Sequence, residues 1–521
     1  MGYLHTVLTA QLDQSSTKPL VKALARDTWY TGAELTAARN TLAAGLQAQG
    51  VQSGDIVLLA HGNSAELLVA LLACWQLDAI AYTVNPKMPA AEFTEILQRH
   101  EYAAIVPGPE NAAMLSDIYQ QSGRDFSQTS VNILGQTQPL LSLQRTGRPS
   151  NPMFTAFQKR TASPLAVLMY TSGTTGAPKA VVLDQDQLLA AARDIAASQD
   201  LTAADRSLLI LPLFHINAQV ISLLSTLVSG GKLLIAPKFS AHQFWPQIAQ
   251  EAITWVSAAP AIIAILNKTR PEIAPDVPSL RFVRSASAPL LPAVQNDFEG
   301  FFNIPIIQGY GMTECASQIT LNPIGHTRVG SVGKSSGTAI CILDENDKPL
   351  PAGETGEISL RGDHVITSYL DPAHQADFAH GWFHTGDVGY LDADGFLFIV
   401  GRKKELINRS GDKVSPSEVE NVLIQHPAVS ALAVIGLPDP IYGERVVAAV
   451  IPNAGYTADD QLSKQLQQYA ADRLAAFKVP AQVIYVHELA AGPTGKIQHT
   501  RVRRAIMQQL AAKEEPKHAN S

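Results

Sequence analysis

The chain has 521 residues, of which 46% are apolar and 16% charged, and its formal net charge is −7. A chain of this length exceeds one simple core, so we expect a large domain and at least one smaller one. The acidic balance disfavours a nucleic-acid-binding protein, since a phosphate backbone favours a basic surface.

Three cysteines, Cys74, Cys315 and Cys341, are too few for a disulfide framework and lack the spacing of a metal site. This composition fits a reducing compartment, and we expect a cytoplasmic protein. Cys315 is interpreted as a small buried residue, because no spacing argument gives it a base. We expect neither a membrane span nor a secretory leader.

In chain order, strand-like and helical segments alternate up to about Asp387, as is typical of layered α/β architecture. Helical spacing of apolar residues predicts helices over residues 33–49 and 65–75. The predicted strands include residues 56–60, 104–106, 208–211, 232–236 and 255–258. Residues 121–163, rich in Ser, Gln, Thr and Pro, are predicted to form an irregular surface stretch.

A loop suited to polyphosphate follows the apolar run at residues 165–170. Its glycines permit unusual backbone angles, its hydroxyls donate hydrogen bonds and its lysine adds charge. It is not a Walker A loop, because the fifth residue after Gly173 is Pro178, where that motif needs Gly-Lys. Residues 180–183 form a predicted returning strand, so the loop is interpreted as a hairpin lid. The loop residues are Thr171, Ser172, Gly173, Thr174, Thr175, Gly176, Ala177, Pro178 and Lys179.

This loop resembles the phosphate loop of the adenylate-forming superfamily of acyl-CoA synthetases, firefly luciferases and peptide-synthetase adenylation domains. Three later segments match the same superfamily in the expected order, so the resemblance extends over nearly the whole chain. It implies an α/β fold, with a large N-terminal layered domain containing β-sheets and a β-barrel-like part, and a small mobile α+β C-terminal domain. It also implies ATP and Mg²⁺ as cofactors, with the loop residues and Lys179 at the phosphates.

The second matching segment is Gln308-Gly309-Tyr310-Gly311-Met312-Thr313-Glu314. By resemblance, Tyr310 stacks on adenine, Thr313 binds the α-phosphate and Glu314 holds Mg²⁺. These roles suit the side chains, since an aromatic face suits a base and a carboxylate suits a hard cation. The remaining residues expected to line the nucleotide site are Ser287, Ala288, Gly309 and Gly311.

The third segment runs from Gly381 to Arg402. Asp387 matches the superfamily aspartate that accepts both ribose hydroxyls, and Arg402 matches an arginine that also reaches the ribose. A carboxylate is a good bidentate acceptor for a vicinal diol. Asp394-Gly395 signals a hairpin turn before a predicted strand over residues 396–400, so both residues are expected to lie near one point.

After Gly401 the sequence becomes strongly charged, and we place a domain boundary there. Residues 1–401 are predicted to form an AMP-binding adenylation domain, and residues 402–521 a mobile C-terminal domain. Ser415-Pro416-Ser417-Glu418 predicts a capping box at a helix start. Strands over residues 431–435 and 446–451 follow, and then a helix whose apolar positions include Leu462 and Leu466.

The fourth segment, Gly492-Pro493-Thr494-Gly495-Lys496, resembles the terminal motif whose lysine enters the site for adenylation. The implied reaction is attack of a carboxylate on the α-phosphorus of ATP, with Lys496, Lys179 and Mg²⁺ on Glu314 neutralising the growing charge. The small domain is then expected to rotate at Lys404 and to present Ser410 and Gly411 to coenzyme A.

The acyl pocket is expected to be polar. His215 is interpreted as a gate beside the reacting carboxylate, not as a base. Residues 238–245, 281–288 and 404–409 resemble the oxalyl-CoA synthetase branch. That branch carries histidines where Asn217 and Ser317 stand, and the loss of two cations weakens the case for a dicarboxylate. Together with Ser285 and Ser287, these residues suggest a short or polar acid such as oxalate.

The sequence therefore predicts an AMP-forming acid–CoA ligase whose partners are a small carboxylic acid and coenzyme A. A ligase for medium- or long-chain fatty acids, acyl transfer to a separate carrier protein, and luciferase-like oxidation of the adenylate stay open, as does the oligomeric state. A P-loop kinase is disfavoured by the failed Walker match. A non-catalytic nucleotide-binding protein is disfavoured by the joint presence of Lys179, Glu314, Asp387, Arg402 and Lys496.

Overall fold

The structure is a computed structural model that describes residues 4–123, 126–143, 151–171, 178–491 and 497–514. Its α-helices are α1 (Leu4–Gln14), α2 (Gly32–Ala48), α3 (Ala65–Gln76), α4 (Ala90–Arg99), α5 (Ala112–Gln121), α6 (Pro152–Gln158), α7 (Gln185–Ser198), α8 (Ser225–Val228), α9 (Ala241–Gln250), α10 (Pro260–Lys268), α11 (Pro292–Phe302), α12 (Pro416–Leu423), α13 (Asp460–Ala471) and α14 (His499–Glu514). A π-helix covers Asn217–Leu224, and short 3₁₀ turns cover Leu24–Arg26, Thr313–Cys315, Pro372–Asp377 and Ala476–Lys478.

The strands, in chain order, are β1 (Pro19–Ala23), β2 (Thr28–Thr31), β3 (Ile56–Ala60), β4 (Ile80–Thr83), β5 (Ala104–Pro107), β6 (Phe126–Ile133), β7 (Gln136–Leu143), β8 (Leu165–Thr171), β9 (Lys179–Asp184), β10 (Arg206–Leu209), β11 (Lys232–Ile235), β12 (Trp255–Ala258), β13 (Phe282–Ser285), β14 (Ile306–Tyr310), β15 (Thr320–Leu321), β16 (Lys334–Ser335), β17 (Ala339–Leu343), β18 (Gly356–Arg361), β19 (Phe378–Ala379), β20 (Trp382–Leu391), β21 (Leu397–Arg402), β22 (Ile407–Arg409), β23 (Asp412–Val414), β24 (Val429–Asp439), β25 (Gly443–Pro452) and β26 (Gln482–Tyr485). Their alternation with helices confirms the predicted α/β class.

The chain divides into two compact units. Unit 1 comprises Met1–Ile340 and Leu360–Phe383, and unit 2 comprises Cys341–Ser359 and His384–Ser521. The large N-terminal part and the smaller C-terminal part are confirmed. The domain boundary between residues 401 and 402 and the hinge at Lys404 stay predictions.

Unit 1 contains two large sheets. In the nine-stranded sheet the order is β16-β15-β14-β13-β12-β10-β11-β1-β2, and the run from β14 to β1 is parallel. One face of β10, β12 and β13 packs its buried apolar residues against α9, α10 and α11. In open parallel sheets, ligands bind outside the carboxyl ends of the strands, so the ends of β13 and β14 are where a site is expected.

The seven-stranded sheet has the order β6-β7-β5-β3-β4-β8-β9. Its centre is parallel, and the hairpins β6/β7 and β8/β9 are antiparallel. The expectation of an irregular stretch over residues 121–163 was wrong, because β6, β7 and α6 lie there. Polar side chains are tolerated in this hairpin at the sheet edge, and Leu134 and Gly135, with φ of 52° and 74°, form its two-residue turn.

Unit 2 contains a five-stranded sheet with the order β23-β22-β25-β24 and β26 on β25. Its buried residues pack on α12 and α13, and the predicted strands in β24 and β25 are confirmed. Only half of the predicted capping box forms. The Ser415 hydroxyl accepts from the Glu418 amide at 3.4 Å, whereas the Glu418 carboxylate pairs with Lys478 at 2.6 Å.

In the part of the chain that the structure describes, no helix is long and apolar enough to cross a membrane. All three cysteines are free, and Cys315 is buried, as predicted. Burial, followed by the negative charge of Glu314, raises the pKa of the Cys315 thiol, so that thiol is a poor nucleophile.

Candidate active site

The base of the predicted phosphate loop is an antiparallel hairpin in unit 1. Thr171, the last residue of β8, pairs in register with Lys179, the first residue of β9. This pairing confirms the predicted returning strand. The loop between them includes five predicted phosphate-binding residues, Ser172, Gly173, Thr174, Thr175 and Gly176, all of which lie outside the described residues.

The Lys179 side chain is held by two neighbours. Its ammonium forms an ion pair with the Asp377 carboxylate and lies 4.6 Å from the centre of the Tyr369 ring. The side chain is 14% exposed and that of Asp377 is 33% exposed, so the pair lies at the protein surface. A phosphate group is an alternative anion for the lysine, and Asp377 is therefore a competitor of the predicted ligand.

Glu314 lies beside the same hairpin. Its Oε1 accepts a hydrogen bond from the Tyr369 hydroxyl at 3.0 Å and from Thr171 Oγ1 at 3.5 Å. Burial, followed by the Glu314 charge, raises the pKa of Tyr369, so the phenol stays a donor. Thr171, Lys179, Glu314, Tyr369 and Asp377 thus form one connected group, which we call the phosphate cluster.

The donor set of this cluster fits Mg²⁺ bound together with a nucleotide. Within the described ranges, no three His, Cys, Asp or Glu side chains are grouped to hold a metal ion. Mg²⁺ commonly binds one or two carboxylates together with substrate phosphates and water, and so needs no dedicated cage. Glu314, which is 8% exposed, is the carboxylate that this arrangement requires.

Two glycines shape the predicted adenine segment. A Cβ atom on Gly309 would meet the Thr320 carbonyl oxygen at 2.8 Å, and one on Gly311 would overlap the Ser317 carbonyl oxygen. Gly311 therefore permits the chain to pass from β14 into the 3₁₀ turn that contains Thr313. The segment places Tyr310 and Thr313, both partly exposed, on the same loop as Glu314.

Polar side chains also surround the predicted acyl pocket. Asn217, the first residue of the π-helix, donates to Ser287 Oγ at 3.1 Å and accepts from Ser257 Oγ at 3.2 Å. Ser287 is exposed with φ of 77°, a strained value for a residue other than glycine. Ala288, next to it, is half-buried.

His215 lies between β10 and the π-helix. Its ring centre is 4.3 Å from that of Phe214. Burial lowers the pKa of His215 to about 4, so the ring is neutral near pH 7. A neutral imidazole suits the predicted gate and supplies no positive charge to the acid.

Unit 2 brings Asp387 and Arg402 together. They face one another across the β20/β21 hairpin, and Arg402 Nε lies 2.9 Å from Asp387 Oδ1. Asp387 is 4% exposed, whereas the arginine side chain is 34% exposed. The sequence prediction that rigid elements bring these two residues to one point is confirmed, and their contact with a ribose stays a prediction.

Ser410 and Gly411 form the two-residue turn between β22 and β23. Both have positive φ, 53° and 99°. The Ser410 amide donates to the Tyr442 carbonyl at 2.8 Å, and the Gly411 amide to the Asn408 side chain at 3.1 Å. Lys496 lies outside the described residues, and the flanking residues Ala491 and Ile497 form an antiparallel bridge.

The sequence did not point to three of the residues at the site. Tyr369 and Asp377 reach the phosphate cluster from far along the chain, and no local pattern marks them. Gln308 belongs to the predicted adenine segment, but the sequence assigns it no role. Its buried Oε1 has no hydrogen-bond partner among the described residues, and neither has the Ser285 hydroxyl on the neighbouring strand. Two buried acceptors beside Tyr310 fit an amino group of a bound base.

Family models match most of the chain. A model of AMP-binding enzymes covers residues 8–370, and a model of the AMP-binding enzyme C-terminal domain covers residues 418–496. The oxalate–CoA ligase of Saccharomyces cerevisiae is 37% identical over 484 residues, which cover 88% of this chain and 87% of that protein. The sulfoacetate–CoA ligase of Cupriavidus necator is 35% identical over 477 residues, which cover 89% and 90%.

Solved structures show the same likeness over nearly the whole chain. ATP-bound MatB from Rhodopseudomonas palustris superposes with a TM-score of 0.82 at 27% identity, covering 97% of this chain and 99% of that one. The likeness therefore extends through both units, each of which carries part of the predicted site.

Proposed function

The chain belongs to the AMP-binding enzyme family, and from this membership we propose that it is an AMP-forming acid–CoA ligase acting on a short or polar acid such as oxalate. The observation that supports this proposal most directly is the phosphate cluster. It connects the base of the loop hairpin, the Glu314 carboxylate, which is suited to Mg²⁺, and Lys179. The named relatives act on small acids and coenzyme A, which fits the polar side chains around Asn217.

In the first half-reaction, ATP is held with its phosphates over the β8/β9 hairpin. Lys179 exchanges the Asp377 carboxylate for a phosphate oxygen. Glu314 would hold Mg²⁺, which would supply neutralisation of the phosphate charge. Tyr369 keeps the Glu314 carboxylate oriented through its 3.0 Å hydrogen bond. The acid attacks the α-phosphorus, pyrophosphate leaves, and acyl-AMP stays in the site.

Unit 2 contributes residues to both half-reactions in this proposal. Lys496 enters for adenylation, and Asp387 with Arg402 binds the ribose. Rotation at Lys404 then brings the turn of Ser410 and Gly411 to the thiol of coenzyme A, which takes the acyl group and releases AMP. The three free cysteines suit a reducing compartment, and we propose a cytoplasmic location.

The fatty-acid alternative is disfavoured by the pocket residues. Asn217 is hydrogen-bonded to both Ser257 and Ser287, and an alkyl chain laid against these side chains would give their polar groups no new partners. A short acid leaves these hydrogen bonds intact.

The proposal is tested by incubating the protein with ATP, Mg²⁺ and acids from oxalate to palmitate, with and without coenzyme A, while AMP, ADP and pyrophosphate are measured. We expect AMP and pyrophosphate with a short acid, and faster AMP release with coenzyme A. ADP would indicate a kinase instead. Acid-dependent AMP only with palmitate would replace the short acid by the fatty-acid alternative, and no acid-dependent AMP would contradict the enzyme class.

A further inference from the structure

Arg284, on β13 in unit 1, is a buried cation to which the described residues supply no counterion. The residue is 0% exposed, and its Nη2 donates to the neutral Gln318 side chain at 3.1 Å. Its Nε and Nη1 have no hydrogen-bond partner among the described residues. Burial lowers the pKa of Arg284 to about 9, so the guanidinium still carries its charge near pH 7. A buried charge without a partner is costly and is rarely kept without a reason.

A matched arginine immediately before the same strand shows the usual solution. Arg281, immediately before β13, pairs with the Asp205 carboxylate at 2.9 Å, and its side chain is 35% exposed. Arg281 therefore has both a counterion and solvent. Arg284 has neither within the described part of the chain, which argues against the interpretation that it is one more structural ion pair of the sheet.

The position of Arg284 coincides with the predicted acyl pocket. In the parallel register Arg284 faces Ser257 on β12, and Ser257 Oγ donates to Asn217. On the other side, Nη2 lies 3.2 Å from the place of a Cβ atom on Gly309, two residues before Gly311. The guanidinium therefore extends toward the carboxyl ends of β13 and β14, where ligands of parallel sheets bind.

Asn217 and Ser317 supply no positive charge to the pocket, and His215 is neutral. Arg284 is linked to Asn217 and to Ser317. Its register partner Ser257 donates to Asn217, and its own Nη2 donates to Gln318, the residue after Ser317. Because Arg284 is enclosed, it acts on a ligand through its charge, across the polar layer of Asn217 and Ser257, and not through direct contact. At low effective dielectric, a charge one side-chain layer away changes affinity by about tenfold or more.

We propose that Arg284 is a specificity-determining residue that selects acids with a second anionic group, such as a short dicarboxylate. This inference rests on the proposed function, since it assumes that the acid binds beside Asn217. The second acidic group supplies the counterion that the described residues do not, while the first reacts with ATP.

The test compares wild type, Arg284→Gln and Arg284→Lys, with Arg281→Gln as the matched control. Acid-dependent pyrophosphate release is measured with oxalate and malonate against acetate and propionate, and thermal unfolding is recorded for each variant. We expect Arg284→Gln to raise KM for the dicarboxylates about tenfold or more with little change for the monocarboxylates. Arg284→Lys is expected to restore much of the preference, and Arg281→Gln to leave it unchanged.

A second variant keeps the inference testable if Arg284→Gln does not fold. Asn217→Asp has the same shape, and its carboxylate accepts from the hydroxyls of Ser257 and Ser287. It gives Arg284 an internal counterion, so the preference for dicarboxylates over monocarboxylates is expected to fall.

The outcomes separate the two claims. A wild-type enzyme that prefers acetate, or an unchanged preference in Arg284→Gln or Asn217→Asp, overturns the role of Arg284 and leaves the ligase proposal standing. No pyrophosphate with any acid overturns the ligase proposal itself.

Discussion

Lys179 and Arg284 are both cations of unit 1, yet their surroundings differ. Lys179 is partly exposed, pairs with Asp377 and lies over the Tyr369 ring. Arg284 is enclosed, and its hydrogen-bond partner among the described residues is a neutral amide. A paired cation at the surface can exchange one anion for another, which suits a nucleotide that enters and leaves as pyrophosphate and AMP. A buried cation without a counterion among the described residues has no anion to exchange, and in our proposal it favours an acid that carries a compensating charge.

The largest expected effect concerns a third cation, Lys496. It sharpens the comparison because it is expected to act in only one of the two half-reactions. Lys496→Ala is expected to slow adenylation by about 10²-fold or more, because it removes positive charge from the transition state. Thioester formation from supplied acyl-AMP should be much less affected. Equal losses in the two half-reactions would refute the two-conformation scheme.

A smaller effect tests whether Lys179 really exchanges its partner. Lys179→Ala is expected to raise KM for ATP by about tenfold, since an ion pair with phosphate is lost. Asp377→Asn removes the competing carboxylate and should lower KM for ATP. Steady-state kinetics with varied ATP measures both.

The matched control for Asp377 is Asp371→Asn, at the N-cap of the same turn. Asp371 accepts from the Ala373 amide at 2.9 Å, and an asparagine can do the same, so KM for ATP should not change. If Asp377→Asn raises KM for ATP as much as Lys179→Ala does, the pair acts as a structural unit and the contrast with Arg284 fails.

Tyr369→Phe tests how the cluster holds its carboxylate. It removes the hydroxyl that donates to Glu314, which is expected to cost about 1 kcal/mol of folding free energy. The half-saturating Mg²⁺ concentration should rise a few-fold, because the carboxylate loses an orienting hydrogen bond. Chemical denaturation and Mg²⁺ titration of the adenylation rate measure the two effects. An unchanged Mg²⁺ response would show that Tyr369 does not orient Glu314.

Local patterns predicted much of the fold. The strand predicted over residues 255–258 has the bounds of β12, and the helix predicted over residues 65–75 ends one residue before α3 does. The edge hairpin of β6 and β7 was missed, because its polar strands carry no strong apolar alternation. The predictions succeeded for the buried elements and failed for the less buried hairpin, because the apolar pattern of a sequence reflects burial.

The site was predictable where its residues share one segment. Thr171 and Lys179 stand on one loop, and Glu314 stands with Tyr310 and Thr313 on another. Asp377 lies 198 residues from Lys179, and Tyr369 lies 55 residues from Glu314, so only the folded chain joins them. Among the described residues, the lack of a counterion for Arg284 is likewise visible only in the folded chain, because a sequence does not show which charges stay unpaired.

The smallest effect concerns His215, an ionisable residue that is predicted to lie beside the reacting carboxylate. Its pKa is about 4 in the folded chain because of burial, against an ordinary value of 6.5. As pH falls from about 6.5 to 4, the unfolded chain binds a proton that the folded chain does not. The free energy of unfolding therefore decreases through that window, whereas the neutral ring costs no stability above it. His215→Gln should weaken the loss of stability on acidification, and the dicarboxylate preference should remain, since a neutral ring supplies no charge. If the preference falls in His215→Gln at pH 7 as far as it does in Arg284→Gln, the cation that selects the acid is not Arg284 alone.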